Sequence, residues 1–200
     1  MTNLKKVLKW VAIVIVAIYF IVVLIRIPHF WNLDKTNQAV AKIHATKLTL
    51  DDVMGKNLPP DPGAEADKTV AGVDANQNGI RDDVELAIFK EYPNSAKTRA
   101  VLLQYALALQ MEMTQPIVNT ETVTAVAQEK SRASMCITDI VSRKDIQKFI
   151  NITTKYTDFI KQKQINNDIR DNFELNFYKK LGSYKDLPYG CDIDLEKLPN

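Results

Sequence analysis

Histidine is nearly missing from this 200-residue chain: His29 and His44 are the only two, and both fall just after an N-terminal hydrophobic run. A catalytic centre built on histidine is therefore not expected. An excess of one charge is missing too. The 26 Lys and Arg residues and 24 Asp and Glu residues are spread along the chain and leave a formal charge of +2. No field strong enough to hold DNA or RNA results, and a nucleic-acid partner is not expected. Cysteine is limited to Cys136 and Cys191, which form no C-x-x-C pair, so neither redox catalysis nor a zinc site has a signal. No G-x-S-x-G or S-x-x-K motif surrounds Ser131, Ser134 or Ser142, and no repeat or low-complexity segment stands out. A non-enzymatic protein is the expectation.

What is present begins with a membrane address. Lys5, Lys6 and Lys9 precede the stretch from Trp10 to Ile25, sixteen residues without a charge. Val7, Leu8 and Ile27 extend it, and Lys9 and Arg26 can snorkel, so the run reaches the roughly 20 residues that cross a bilayer. The rival reading is a cleaved signal peptide, which ends in small residues. Here Arg26-Ile27-Pro28-His29-Phe30-Trp31 follows instead, and an uncleaved anchor over residues 1–28 is the expectation. A buried core helix is the remaining alternative, but Trp10, Phe30 and Trp31 at the flanks suit an interface better. The lysines favour a cytoplasmic N-terminus, with the main domain periplasmic or extracellular. In such a compartment Cys136 and Cys191 can form a disulfide, worth about 4 kcal/mol by chain entropy; two unrelated buried thiols are the alternative.

Residues 29–63 read as a juxtamembrane stalk and linker. Ala39, Val40, Ile43, Leu48 and Leu50 give only partial helical periodicity, and Leu58-Pro59-Pro60-Asp61-Pro62-Gly63 excludes a regular element. Residues 64–200 read as one all-α domain, a helical bundle, large enough for a single core. A helix is predicted from Asp82 to Tyr92, stopping before Pro93. The next, capped by Asn94 or Ser95 and running to about Met113, is apolar nearly all round and is expected to be the central buried helix. A third is predicted over 120–139. A fourth opens at a Ser142/Asp145 cap and shows Ile146, Phe149, Ile150 and Ile160. Ile165, Ile169, Phe173, Phe177 and Leu181 then fall at i,i+4 steps up to Gly182, and residues 183–200 read as a strap pinned by Cys191. The acidic groups Asp51-Asp52 and Asp192/Asp194/Glu196 are expected in solvated caps and turns.

The strongest functional signal is the stretch from Asp74 to Glu85. A calcium ion takes six to eight oxygens, and a twelve-residue loop supplies them from positions 1, 3, 5, 7, 9 and 12, with glycine at 6 for the sharp turn. Asp74, Asn76, Asn78, Ile80 (through its carbonyl), Asp82 and Glu85 occupy the ligand positions and Gly79 the sixth. The competing reading is an Asn/Gly-rich turn whose Asp82 caps a helix, needing no metal. That accounts for Asp82 but not for the other four side chains at their places.

The stretch resembles the aspartate-rich loops of the EF-hand, dockerin and thrombospondin type 3 class, over twelve of the 200 residues. Two departures stand out: the eighth position, usually aliphatic where paired loops join, is Arg81, and the preceding Pro/Gly-rich segment leaves no room for a long entering helix. The resemblance therefore implies a solitary extracellular-type clip rather than a sensor pair. Only Asp74, Asp82 and Glu85 bring charge, so the expected calcium affinity is weak, about 0.1–1 mM. Together with Leu58 to Gly63 the loop also resembles a segment of bacterial membrane-anchored envelope proteins, which implies a location and no activity. The expected function is binding of another envelope component. An inhibitor or immunity-type partner, and a carboxylate-based hydrolase of envelope polymers, are the alternatives.

Overall fold

The computed structural model describes residues 2–188 and 190–199, and among them the chain is all-α, with seven α-helices and no strand. It divides into two units, Met1–Ala39 and Val40–Asn200. Helix α1 spans Thr2–Ala45. Every large apolar side chain from Leu4 to Ile25 is exposed, and the helix is long and apolar enough to cross a membrane. A continuous apolar surface of this kind matches hydrocarbon and not water.

In the second unit, α2 (Leu50–Met54), α3 (Asp82–Glu91), α4 (Ala96–Thr114), α5 (Thr120–Asp139), α6 (Ile146–Gln164) and α7 (Asp168–Tyr178) follow in order. Short 3-10 turns lie at Gly63–Asp67 and Leu195–Lys197. Helix α4 is the axis: from Thr98 to Met113 every residue is buried, and α2, α3, α5, α6 and α7 all pack on it. A helix apolar on all sides has nowhere else to go, and Leu102, Leu103 and Leu109 each contribute roughly 1.5–3 kcal/mol by leaving water.

Five helices begin with the same device. Thr49, Ser95, Asn119, Asp145 and Asn167 stand in extended backbone and accept the N–H three residues on, from Asp52, Thr98, Thr122, Lys148 and Arg170. These bonds satisfy donors that the helix itself leaves orphaned. Asp145 is thus the cap of α6; Ser142, placed there by its spacing, lies outside and accepts from Lys144 N–H.

Three expectations are revised. Residues 40–57, assigned to the stalk, belong to the second unit, where Ile43, Leu48 and Val53 are buried. Their periodicity is partial because α1 ends at Ala45 and a non-helical stretch precedes α2. Helix α7 ends at Tyr178, and of its i,i+4 stripe only Phe177 is fully buried, while Ile169 faces solvent. Asp192 sits in no solvated turn: it is buried, accepts Leu48 N–H at 3.0 Å and pairs with Arg132 at 2.7 Å.

The strap beyond α7 runs along α5. Cys136 and Cys191 are joined by a disulfide, with Cα atoms 5.3 Å apart. Gln128 donates to Lys185 O, Ser131 to Asp186 and Arg132 to Gly190 O, and Leu198 is buried in the core.

Between α2 and α3 the chain is irregular yet partly buried, so its carbonyls need donors from elsewhere. Arg170, fully buried, supplies them: Nη2 reaches Ala66 O (2.5 Å) and Thr69 O (3.0 Å), and Nε reaches Val70 O (3.0 Å). Gly72 allows this path to close. Its φ is +71°, and a Cβ there would stand 2.3 Å from Arg81 Cδ and 3.0 Å from Ala66 O. Gly63 also has positive φ, +53°, but a Cβ on it would meet nothing within 4 Å. Gly63→Ala is expected to cost about 1 kcal/mol through backbone conformation alone, and Gly72→Ala at least about 2 kcal/mol more through overlap. Denaturant unfolding of the two variants against the parent chain checks this difference.

Candidate functional site

Residues 74–85 fold back on themselves at the N-terminus of α3. The Asp74 carboxylate accepts Asn78 N–H at 3.1 Å and Gly79 N–H at 2.9 Å, drawing the first and sixth positions together. The turn requires left-handed backbone twice, at Gln77 (φ 58°) and Gly79 (φ 85°). Gly79 is doubly constrained, since a Cβ there would press on Leu107 Cδ1 at 2.8 Å. The loop is thereby seated directly on the central helix.

Asn76, Asn78 and Glu85 converge. Glu85 Oε2 accepts from Asn76 Nδ2 at 3.0 Å and Oε1 from Asn78 Nδ2 at 3.1 Å, so the third, fifth and twelfth positions meet at one point. Asn76 Nδ2 also donates to Asn57 O at 2.9 Å, fastening the loop to the turn after α2. Asp82 does not cap α3. Arg81 occupies the cap position without a side-chain bond, and both Asp82 oxygens accept Ala75 N–H, at 3.0 and 3.1 Å. The metal-free reading thus loses its Asp82 cap, while its Asn/Gly-rich turn is present and closed by the loop's own hydrogen bonds. Ile80 directs its side chain into the core.

The electrostatics of the site are unfavourable to its own charges. Burial pushes the Glu85 carboxyl up to about 7, against the pull of Asn76 and Asn78, with Asp52 and Asp82 adding repulsion. Burial also raises Asp82, as do Asp74 and Asp83, while the Ala75 N–H works the other way. Two buried acids are thus held toward neutrality among amide and backbone groups, a setting in which a hard cation would favour both ionised forms. Three carboxylates and two amides, the oxygen donors a calcium ion takes, lie on one short loop; the Asn76 and Asn78 amide oxygens accept Asn78 N–H at 3.3 Å and Ile80 N–H at 2.9 Å while their N–H groups face Glu85. Among the described residues no three His, Cys, Asp or Glu side chains form a metal-binding group by themselves, so the set depends on its two asparagines.

Arg81 is the residue whose role the sequence does not reveal. It is fully buried, forks onto Asp83 (Nε to Oδ1 2.5 Å, Nη2 to Oδ2 2.9 Å), and donates to Lys163 O (2.5 Å) and Gln164 O (3.0 Å) at the end of α6. Its appearance at the eighth position was the only signal.

A second polar cluster joins α1, α5 and the strap. Glu129 accepts from His44 Nδ1 (2.8 Å), Lys47 Nζ (3.0 Å) and the Arg132 fork (2.9 and 2.6 Å), and Arg132 also holds Asp192. A third lies between α4, α5 and α7. There the buried Glu112 pairs with Lys130 at 3.0 Å and accepts from the Tyr178 hydroxyl, and burial raises its carboxyl despite Lys130. These are interior networks in which each charge answers another.

No protein-family model, curated protein or solved structure matches the chain.

The Glu129 cluster sets an acid limit. Burial alone would raise Glu129, but the bonds from His44, Arg132 and Lys47 outweigh it and hold the carboxyl below its ordinary 4.5. A depressed carboxylate contributes stability that is fully present above the unfolded value and lost as pH falls through the folded one. Unfolding free energy is therefore expected to drop from about pH 4.5 downward. Glu129→Gln should be less stable at pH 7 and flatter below pH 4.5, read from denaturant titrations at each pH.

Proposed function

We propose that residues 74–85 hold one calcium ion as a structural clip in a membrane-anchored protein whose helical domain lies outside the cytoplasm and binds another envelope component. The observation that carries the calcium reading is the meeting of Asn76, Asn78 and Glu85 at one point while Asp74 holds the Gly79 turn. Asp74, Asn76, Asn78, Asp82 and Glu85 supply side-chain oxygens and Ile80 its carbonyl. The ion would neutralise crowded buried carboxylates and fix a loop that carries a left-handed non-glycine residue.

Location is supported by three independent features: the apolar exposed length of α1, the lysines before it, and the Cys136–Cys191 disulfide, a bond that persists in oxidising compartments. The surface offered to a partner is the pair Ile146 and Ile150, one turn apart and exposed on α6.

With an affinity of about 0.1–1 mM, roughly 10 mM calcium should stabilise the solubilised full chain by about 1.4–2.7 kcal/mol. Asp74→Asn and Glu85→Gln, which keep shape and remove charge, should abolish that gain and the heat of calcium titration. An unchanged melting temperature and no heat for the parent chain would remove the metal from this reading.

A further inference from the structure

We propose that Arg81 couples this loop to the C-terminal end of α6, so that calcium occupancy controls the order of the α6–α7 corner. The inference rests on the calcium reading above. Its own support is the hydrogen-bond circuit around Arg81.

Helix α6 ends with carbonyls that no residue of its own can satisfy and with the negative end of its dipole. The Arg81 guanidinium meets that end, bonding Lys163 O and Gln164 O while the Asp83 carboxylate fixes the plane of the fork. A planar, permanently charged group with five fixed donors suits this task in a way that lysine does not. The backbone of the same residue opens α3, since Arg81 O accepts from Val84 and Glu85 N–H. Arg81 is therefore rigidly joined to Glu85 and to Ile80, whose own N–H is held by Asn78 Oδ1 at 2.9 Å.

The circuit closes through side chains. Gln164 Nε2 donates to Gln110 Oε1, Gln110 Nε2 donates to Ala71 O at 2.7 Å, and Gly72 lies against the Arg81 stem. At the start of α7, Arg170 Nη1 binds Asp67 (2.6 Å) and Asn166 (2.5 Å). Residues 66–72, 81–83 and 163–170 consequently form one stitched corner, and the loop cannot shift without moving Arg81 within it. A ligand that orders the loop then orders the corner, and by linkage whatever loosens the corner weakens the ligand.

The test is hydrogen exchange of the full chain in nanodiscs, with calcium or with chelator, alongside calorimetric calcium titration. Calcium is expected to slow exchange at least threefold at 163–170 and 66–72 as well as at 74–85. Arg81→Lys, which keeps the charge and loses the fork, should still bind calcium with a Kd raised at least threefold, and should no longer pass protection to 163–170. Asp83→Asn, at a half-buried position, provides the same comparison with less disturbance of the core if Arg81→Lys does not fold. Binding with protection confined to 74–85 overturns the coupling and leaves the calcium clip standing. An absence of binding heat in the parent chain overturns both.

Discussion

Buried arginines hold this domain to one shape. Irregular backbone inside a protein must find donors for its carbonyls, and the segments between helices here are too short of regular structure to provide their own. Arg81 takes the end of α6, Arg99 takes Val53, Tyr92 and Pro93 carbonyls, Arg132 takes Gly190, and Arg170 takes Ala66, Thr69 and Val70. Each is anchored on or beside a helix and reaches a loop or the last turn of another helix. Removing any one leaves several polar groups unsatisfied at once, a cost of roughly 1–3 kcal/mol for each. The apolar packing around α4 gathers the helices; the arginines decide how the loops between them lie.

This division explains what could be read in advance. Periodicity and caps are local, so α3, α4 and α5, a cap at Asn94 or Ser95, which the structure places at Ser95, and the central place of α4 follow from neighbouring residues. The spacing from Asp74 to Glu85 is equally local, and the structure brings Asn76, Asn78 and Glu85 together. Long-range polar partnerships leave no such trace. Nothing near Arg170 in the chain points to Ala66, and nothing near Asp192 points to Leu48, 144 residues away. Ser142 and Asp145 show a local ambiguity instead: both are good caps, and the helix begins after the later one.

The two ends of the domain are secured by different chemistry. On the α5 side a covalent bond and a five-member polar cluster, His44, Lys47, Glu129, Arg132 and Asp192, fasten the strap. On the α3 side the fastening is a short loop of carboxylates and amides. The first is permanent once the thiols are oxidised. The second, on the calcium reading proposed above, would answer to the ions of the surrounding solution.

The bond from Leu48 N–H to Asp192 bears on how the protein is made. The first turn after α1 and the strap close on each other, with Leu198 completing the core. The helices can form as they emerge, but the cluster at Glu129 lacks its second carboxylate until residue 192 has been synthesised. Until then Arg132 lies half-paired and Cys136 has no mate. The covalent and ionic closure of the domain therefore waits for the strap, the last part of the chain to be made.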